Sequence, residues 1–304
     1  MPIPDYQSLM LPVLKSAAQS DVKLSDVVQV IIRVIGLSEQ EAIERIPSGK
    51  QTLIANRVGW AKTYLTKAGL LESTSRGYFR ITDRGREVLR SNSSRINNAF
   101  LMQFDGFQQF VNREINDSAG TEAQVELVLQ ESQTPDEIMR AAHRQMTTTL
   151  AQELLDRILL APPDFFERLI VDLLISMGYG GSAEETGRVL GGSGDNGVDG
   201  VIYEDPLGLD RLYVQAKRYA PGNIVGSEAI REFCGSLDHH RVNKGVFVTT
   251  SGFSEPARNT ASSLTKRIVL IDGAQLTSLM IRHNMGCRVQ ETLYLKKIDE
   301  DFFE

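Results

Sequence analysis

Two runs rich in β-branched and aromatic residues, 198–204 and 211–217, are joined by the turn-forming stretch "EDPLGLD". That spacing predicts two strands pairing as hairpin neighbours. Each run carries a charge in otherwise apolar sequence, Asp199 in the first and Lys217 in the second. A buried charge without a partner is costly, so such a residue has a partner or a task. Strand alternation puts Gln215 and Lys217 on one face and Val214 and Ala216 on the other, within reach of Asp199 across the ladder.

The surrounding sequence extends this hairpin into a layered domain. A helical pattern runs from Pro135 to Leu160, and "APPDFFERLIVDLLISMGYG" forms a second helix that its prolines start and Gly178 ends. Further strands are expected at 244–250 and 267–271. "SEAIREFCGSLDHH" and "SEPARNTASSL" read as helices with serine at the N-cap. A last helix falls near 273–283. Helix first, then a cluster of strands, then alternation gives an α/β domain with a mixed sheet flanked by helices.

The first third of the chain has a different pattern. Residues 5–19 and 24–36 read as helices. In "QTLIANRVGWAKTYLTKAGLL", Ile54, Val58, Ala61, Leu65 and Ala68 recur at helical spacing, and Gly69 ends the helix. A turn at Arg76-Gly77 then leads into a strand, and "DRGREVLR" returns to helix. Helices followed by a basic two-stranded hairpin describe a mostly helical winged-helix domain, in which one helix enters the DNA major groove. Trp60 is expected in the core of that helix. Residues 50–95 hold ten Lys/Arg against three Asp/Glu, although the whole chain carries −6. Lys50, Arg57, Lys62, Lys67, Arg76 and Arg80 are therefore candidate DNA contacts; the alternative is a solvated basic surface. Residues 91–132, rich in Ser, Asn and Gln, read as a linker with some helix in "AFLMQFDGFQQFV". The resulting organisation is a winged-helix domain over 1–92, a linker over 93–134 and a second domain over 135–304.

Several function classes are excluded or disfavoured. "GSGDNG" (Gly192–Gly197) matches G-x-G-x-x-G but opens a strand-like run, with no helix to face a pyrophosphate. No G-x-x-x-x-G-K-[ST] occurs, so no nucleotide cofactor is visible. No apolar run is long enough for a membrane span, and the N-terminus lacks signal-peptide features. Cys234 and Cys287 have no metal-like spacing, and a reducing cytoplasm is the expected location. His143, His239, His240 and His283 are scattered and receive no role.

The remaining constellation is Asp199, Gln215 and Lys217. A carboxylate, a second oxygen ligand and a lysine at one point suit phosphodiester hydrolysis. The oxygens can hold a hard divalent ion such as Mg²⁺, and the lysine can orient water as the ammonium or deprotonate it as the neutral amine. The alternative is a structural Asp199–Lys217 ion pair. Arg218 and Tyr219 read equally as phosphate contacts or as surface. "TTSGFS" reads equally as a phosphate-holding turn or as a plain N-cap.

"FFERLIVDLLISMGYG", "GDNGVDGVI", "YVQAKRY", "KGVFVTTSGFS" and "IVLIDGAQL" together resemble the catalytic domain of Mrr-type restriction endonucleases, of the PD-(D/E)xK superfamily. "NRVGWAKTYLTKAGLLE…RGYFRITDRGREVL" resembles the Mrr N-terminal winged-helix domain. The resemblance implies an αβββαβ restriction-endonuclease-like core and a Mg²⁺-dependent endonuclease that cuts methylated duplex DNA. By motif position, Asp199 matches the metal aspartate, Gln215 the (D/E) position and Lys217 the lysine. Glu167 matches the acidic residue on the preceding helix, and the alternative for it is a solvated helix face. A neutral amide at Gln215 departs from the superfamily's usual carboxylate, so metal should bind more weakly unless Glu167 adds charge. Cutting both strands calls for a homodimer or larger symmetric assembly. The rival readings are a repair or junction-processing nuclease with the same core, and a non-enzymatic winged-helix regulator.

Overall fold

The computed structural model describes residues 2–47, 49–75, 77–91, 94–116, 132–180, 187–189, 198–205, 209–296 and 302. Arg76 and the stretch Gly192–Gly197 lie outside them. The chain divides into two compact units, residues 1–143 with 297–304, and residues 144–296. Among the described residues no helix is long and apolar enough to cross a membrane.

In the first unit, α1 (Tyr6–Ser16) starts where the Asp5 carboxylate accepts the Gln7 and Ser8 amides. Then come β1 (Val22–Lys23), α2 (Leu24–Ile35), α3 (Glu39–Ile43), α4 (Leu53–Lys67), β2 (Leu71–Ser75), β3 (Tyr78–Ile81) and α5 (Asp83–Arg90). The strands form an antiparallel sheet in the order β1-β3-β2. The β2–β3 turn needs Gly77, whose φ of 72° strains any residue with a Cβ. Apart from β1 and α3, which the sequence reading did not include, this is the order of helices and hairpin read from the sequence.

The core differs from that reading in two respects. First, Ile54, Val58, Ala61, Leu65 and Ala68 are buried as expected, yet no residue from Leu53 to Thr66 is classed as exposed. The outer side of α4, including Gly59, Lys62 and Thr63, is thus partly covered, and Lys67 at its end is exposed. Tyr64 stacks edge-on against Tyr6, Trp60, Phe107 and Phe110. Trp60 is only partly buried, with its indole N–H directed at Asp136 (3.4 Å). Second, part of the stretch read as linker belongs to this core. α6 (Asn98–Leu101) and α7 (Asp105–Asn116) bury Leu101, Phe107 and Val111 in it. The polar composition around these helices masked their apolar residues.

α8 (Pro135–Leu160) begins in the first unit, and the division between units falls within it. Thr134 and Glu137 cap its start reciprocally: the Glu137 amide donates to Thr134 Oγ1 and the Thr134 amide to Glu137 Oε2.

The second unit continues with α9 (Pro163–Ser176), β4 (Gly187–Val189), β5 (Gly200–Tyr203), β6 (Arg211–Lys217), α10 (Ser227–His239), β7 (Lys244–Thr249), α11 (Glu255–Ser263), β8 (Arg267–Ile271) and α12 (Gly273–Arg282). The sheet runs β4-β5-β6-β7-β8. Its first three strands are antiparallel and its last three parallel, which is the mixed sheet expected. The alternation of β6 and β7 feeds two cores. Val214, Val246 and Val248 pack with Phe166, Leu169 and Leu173 of α9 and with Leu276 and Met280 of α12. Tyr213 and Phe247 pack with Ile230, Phe233 and Leu237 of α10 and Ala257 of α11. Ser254 caps α11 as expected. The N-cap of α10 is Gly226 instead, with no side-chain bond, and Ser227 is already helical.

Candidate active site

The β5–β6 ladder brings the predicted pair together. Gly200 pairs with Val214, and the Asp199 amide extends the ladder by donating to the Val214 carbonyl at 2.8 Å. Asp199 thus lies beside Gln215. Its Oδ2 accepts the Gln215 Nε2–H at 2.6 Å and the Ala216 backbone N–H at 2.6 Å. Gln215 is 3% exposed and Asp199 is partly exposed, so these bonds are part-buried. Short bonds to a carboxylate are the strong, charge-assisted kind. Gln215 therefore acts as a donor to Asp199, with its Oε1 as the only atom left for ligation. The sequence had suggested an amide oxygen standing next to the Asp199 carboxylate.

Lys217 follows two residues on, at the end of β6, in register with Thr249 of β7. Glu167 sits in the second turn of α9. Burial raises its carboxyl above the ordinary range. The charges of Asp199 and Asp164 raise it further, and Lys217 opposes them. Glu167 is thus close enough to sense both Asp199 and Lys217. Asp164 was not singled out in the sequence, although its i,i+3 spacing from Glu167 puts both on one helix face.

The donor set is compatible with a divalent cation. Among the described residues no cluster of three or more His, Cys, Asp or Glu side chains forms. Two mutually repelling carboxylates and an amide oxygen remain, and a small hard cation commonly uses one or two carboxylates plus substrate oxygens.

The candidate DNA contacts fare unevenly. Arg57 is committed internally. Its guanidinium pairs with Glu137 at 2.7 Å, both side chains being 16% exposed, and donates to the Ile3 and Pro4 carbonyls. Sequence could not show this, because Glu137 lies eighty positions away. The Lys62 ammonium lies 5.3 Å from the Phe79 ring centre and that of Lys67 5.5 Å from Phe110. Arg80 pairs with Glu72 at 2.7 Å on the exposed β2–β3 surface. Lys50 is exposed. Arg218 donates through Nη1 to the Ala161 carbonyl, so this guanidinium ties β6 to the corner between α8 and α9. The hydroxyls of Thr249, Thr250 and Ser251 donate to backbone carbonyls of the segment leaving β6.

Residues 159–280 match the Mrr catalytic family, described as a restriction endonuclease, and residues 6–91 match the Mrr N-terminal domain. The type IV methyl-directed restriction enzyme EcoKMrr of Escherichia coli (strain K12) is 34% identical over 312 residues, spanning 100% of both chains. Two solved structures show partial likeness. The DNA modification-dependent restriction endonuclease AspBHI is 19% identical with a TM-score of 0.36, over 46% of this chain and 35% of its own. The MspJI restriction endonuclease, in complex with a 27-mer oligonucleotide, is 24% identical with a TM-score of 0.34, over 46% of this chain and 33% of its own. With both family domains matched in order and a curated relative aligned along its full length, the chain belongs to the Mrr family of restriction endonucleases.

Proposed function

We propose that this enzyme hydrolyses phosphodiester bonds of methylated duplex DNA in the cytoplasm with Mg²⁺ as its ion. The observation that carries this reading is the meeting of Asp199 with Gln215, with Glu167 and Lys217 in electrostatic reach. The relative EcoKMrr is a methyl-directed enzyme, which supports modified DNA as the substrate.

Asp199 and Glu167 are the charged ligands for the ion, and the Gln215 amide oxygen is a neutral one. When bound, the ion would supply Lewis-acid polarisation of the phosphate. The Ala216 amide and the Gln215 side chain fix the Asp199 carboxylate, so its remaining oxygen is presented in one orientation. Lys217 either takes a proton from the attacking water or stabilises the charge that develops on phosphate.

The N-terminal domain is the DNA-binding part of this reading, acting through Lys50, Lys62, Lys67, Arg76 and Arg80. Arg57 and Arg218 are bracing residues. A homodimer would place one site on each strand of the duplex.

Incubating the full chain with plasmids of different methylation patterns, with and without Mg²⁺, tests the proposal. Cleavage confined to methylated plasmid and lost in Asp199→Ala supports it. Preference for branched DNA would favour a repair enzyme, and binding without cleavage a regulator.

A further inference from the structure

Lys217 is the last residue of β6, and residues 218–226 form no helix or strand before α10 begins at Ser227. A side chain at the end of a strand is well placed only if the backbone beneath it is held. Three consecutive hydroxyls at the end of β7 hold it. Thr249 Oγ1 donates to the Lys217 carbonyl at 2.8 Å, Thr250 Oγ1 to the Tyr219 carbonyl at 2.7 Å, and Ser251 Oγ to the Asn223 carbonyl at 2.7 Å. The ordinary ladder bond at this point, from the Thr250 amide to the Lys217 carbonyl, is long at 3.4 Å. The hydroxyls therefore continue the β6–β7 pairing where the backbone pairing weakens.

The clasp is itself rigid. Thr249 and Thr250 are 0% and 2% exposed. Behind them α12 begins against the Thr250 carbonyl, so close that a Cβ on Gly273 would lie 2.4 Å from that oxygen. On the other side, Arg218 fastens the same end of β6 to the Ala161 carbonyl.

We infer that Thr249 and Thr250 are positioning residues for the cleavage reaction, holding the Lys217 backbone so that its ammonium meets the scissile phosphate. Their hydroxyls are engaged with protein carbonyls, which assigns them to the lysine rather than to the phosphate. The inference rests on the role given to Lys217 above.

The test uses the full chain, methylated plasmid and saturating Mg²⁺, comparing Thr249→Val, Thr250→Val, Thr249→Ser, Thr250→Ser and Lys217→Ala. The valine variants keep the size of the side chain and remove the donor, whereas serine restores it. The valine variants should lose about tenfold or more in kcat with KM unchanged, and the serine variants should recover most of that loss. A folded valine variant with wild-type kcat beside an inactive Lys217→Ala overturns the clasp and leaves the site assignment standing. Wild-type cleavage by Lys217→Ala overturns the site assignment itself. Failure of both valine variants to fold also counts against the inference, because it would make these bonds supports of the whole domain.

Discussion

Gln215 donates its side-chain amide to the Asp199 carboxylate at 2.6 Å, within a site where Glu167 already feels the Asp199 charge. The neutral residue at the position where the superfamily usually has an acid therefore bonds to the neighbouring acid directly.

Gln215→Glu should expose that relationship. The substitution removes a donor and puts a second carboxylate against Asp199, so the two repel. Without a divalent ion the melting temperature should fall. With Mg²⁺ it should rise by more than in the wild type, and the Mg²⁺ midpoint for cleavage should drop, since hard cations prefer charged oxygens. Melting curves with and without Mg²⁺ that match the wild type would remove Gln215 from the site.

Asp199→Asn isolates the charge from the shape. An amide oxygen still accepts the Ala216 N–H, but an ion held as proposed would lose its central charged ligand. Cleavage should fall by about a hundredfold or more, while affinity for duplex DNA changes little. Filter binding and plasmid nicking measured on one preparation check both halves. Wild-type nicking would move the chemistry elsewhere in the domain.

Arg57 is expected to behave as a bracing residue. Arg57→Ala leaves Glu137 half-buried without its partner and frees the Ile3 and Pro4 carbonyls, at a cost of about 2 kcal/mol. Burial alone would raise the Glu137 carboxyl. The Arg57 guanidinium and the Thr134 N–H and hydroxyl outweigh burial and hold it below the ordinary range. A depressed carboxyl contributes stability above its unfolded value and loses it as pH falls through the folded one. The Arg57→Ala deficit should therefore be full at neutral pH and shrink below about pH 4. Denaturant titrations at both pH values check the sign, and an equal deficit at each would rule out the charge pair as its source.

Lys50→Ala and Lys67→Ala should instead weaken DNA binding. Each lost phosphate contact should reduce the salt-dependence slope of log K by about one. A slope unaffected by either substitution would leave the basic segment as solvated surface.

What could be read in advance divides along a physical line. Periodicity placed the buried side of α4, the alternation of β6 and the β5–β6 hairpin, because local backbone geometry alone decides which side chains share a face. Strand alternation also brought out Asp199, Gln215 and Lys217 as a candidate site, and resemblance added Glu167 and the family roles of all four. The partners of polar side chains were not legible. Arg57 meets Glu137 across eighty positions and Arg218 meets Ala161 across fifty-seven. Nothing in an arginine's neighbours distinguishes a guanidinium facing phosphate from one facing a carbonyl. The partial cover of α4 was hidden for the same reason, since α7 and the start of α8 pack on it from later in the chain.

Glu167 gives the last prediction. Its carboxyl is raised by burial and by the charges of Asp199 and Asp164, against the pull of Lys217. A carboxyl raised in the folded state binds its proton more tightly there than in the unfolded chain. Its favourable contribution is complete below the unfolded value, about 4.3, and is lost as pH rises through the folded value. At neutral pH without a divalent ion, ionised Glu167 therefore costs stability. Glu167→Gln removes that charge, so the variant should melt above the wild type at neutral pH and lose this advantage below about pH 4. Mg²⁺ screens the same repulsion, so it should stabilise the wild type more than the variant and narrow the gap between them. Scanning calorimetry at two pH values, with and without Mg²⁺, gives the four numbers required. If the variant melts below the wild type at neutral pH, Glu167 is braced by contacts within its own helix. If Mg²⁺ stabilises both proteins equally, the ion does not sit at Glu167 and Asp199 must hold it without a second carboxylate.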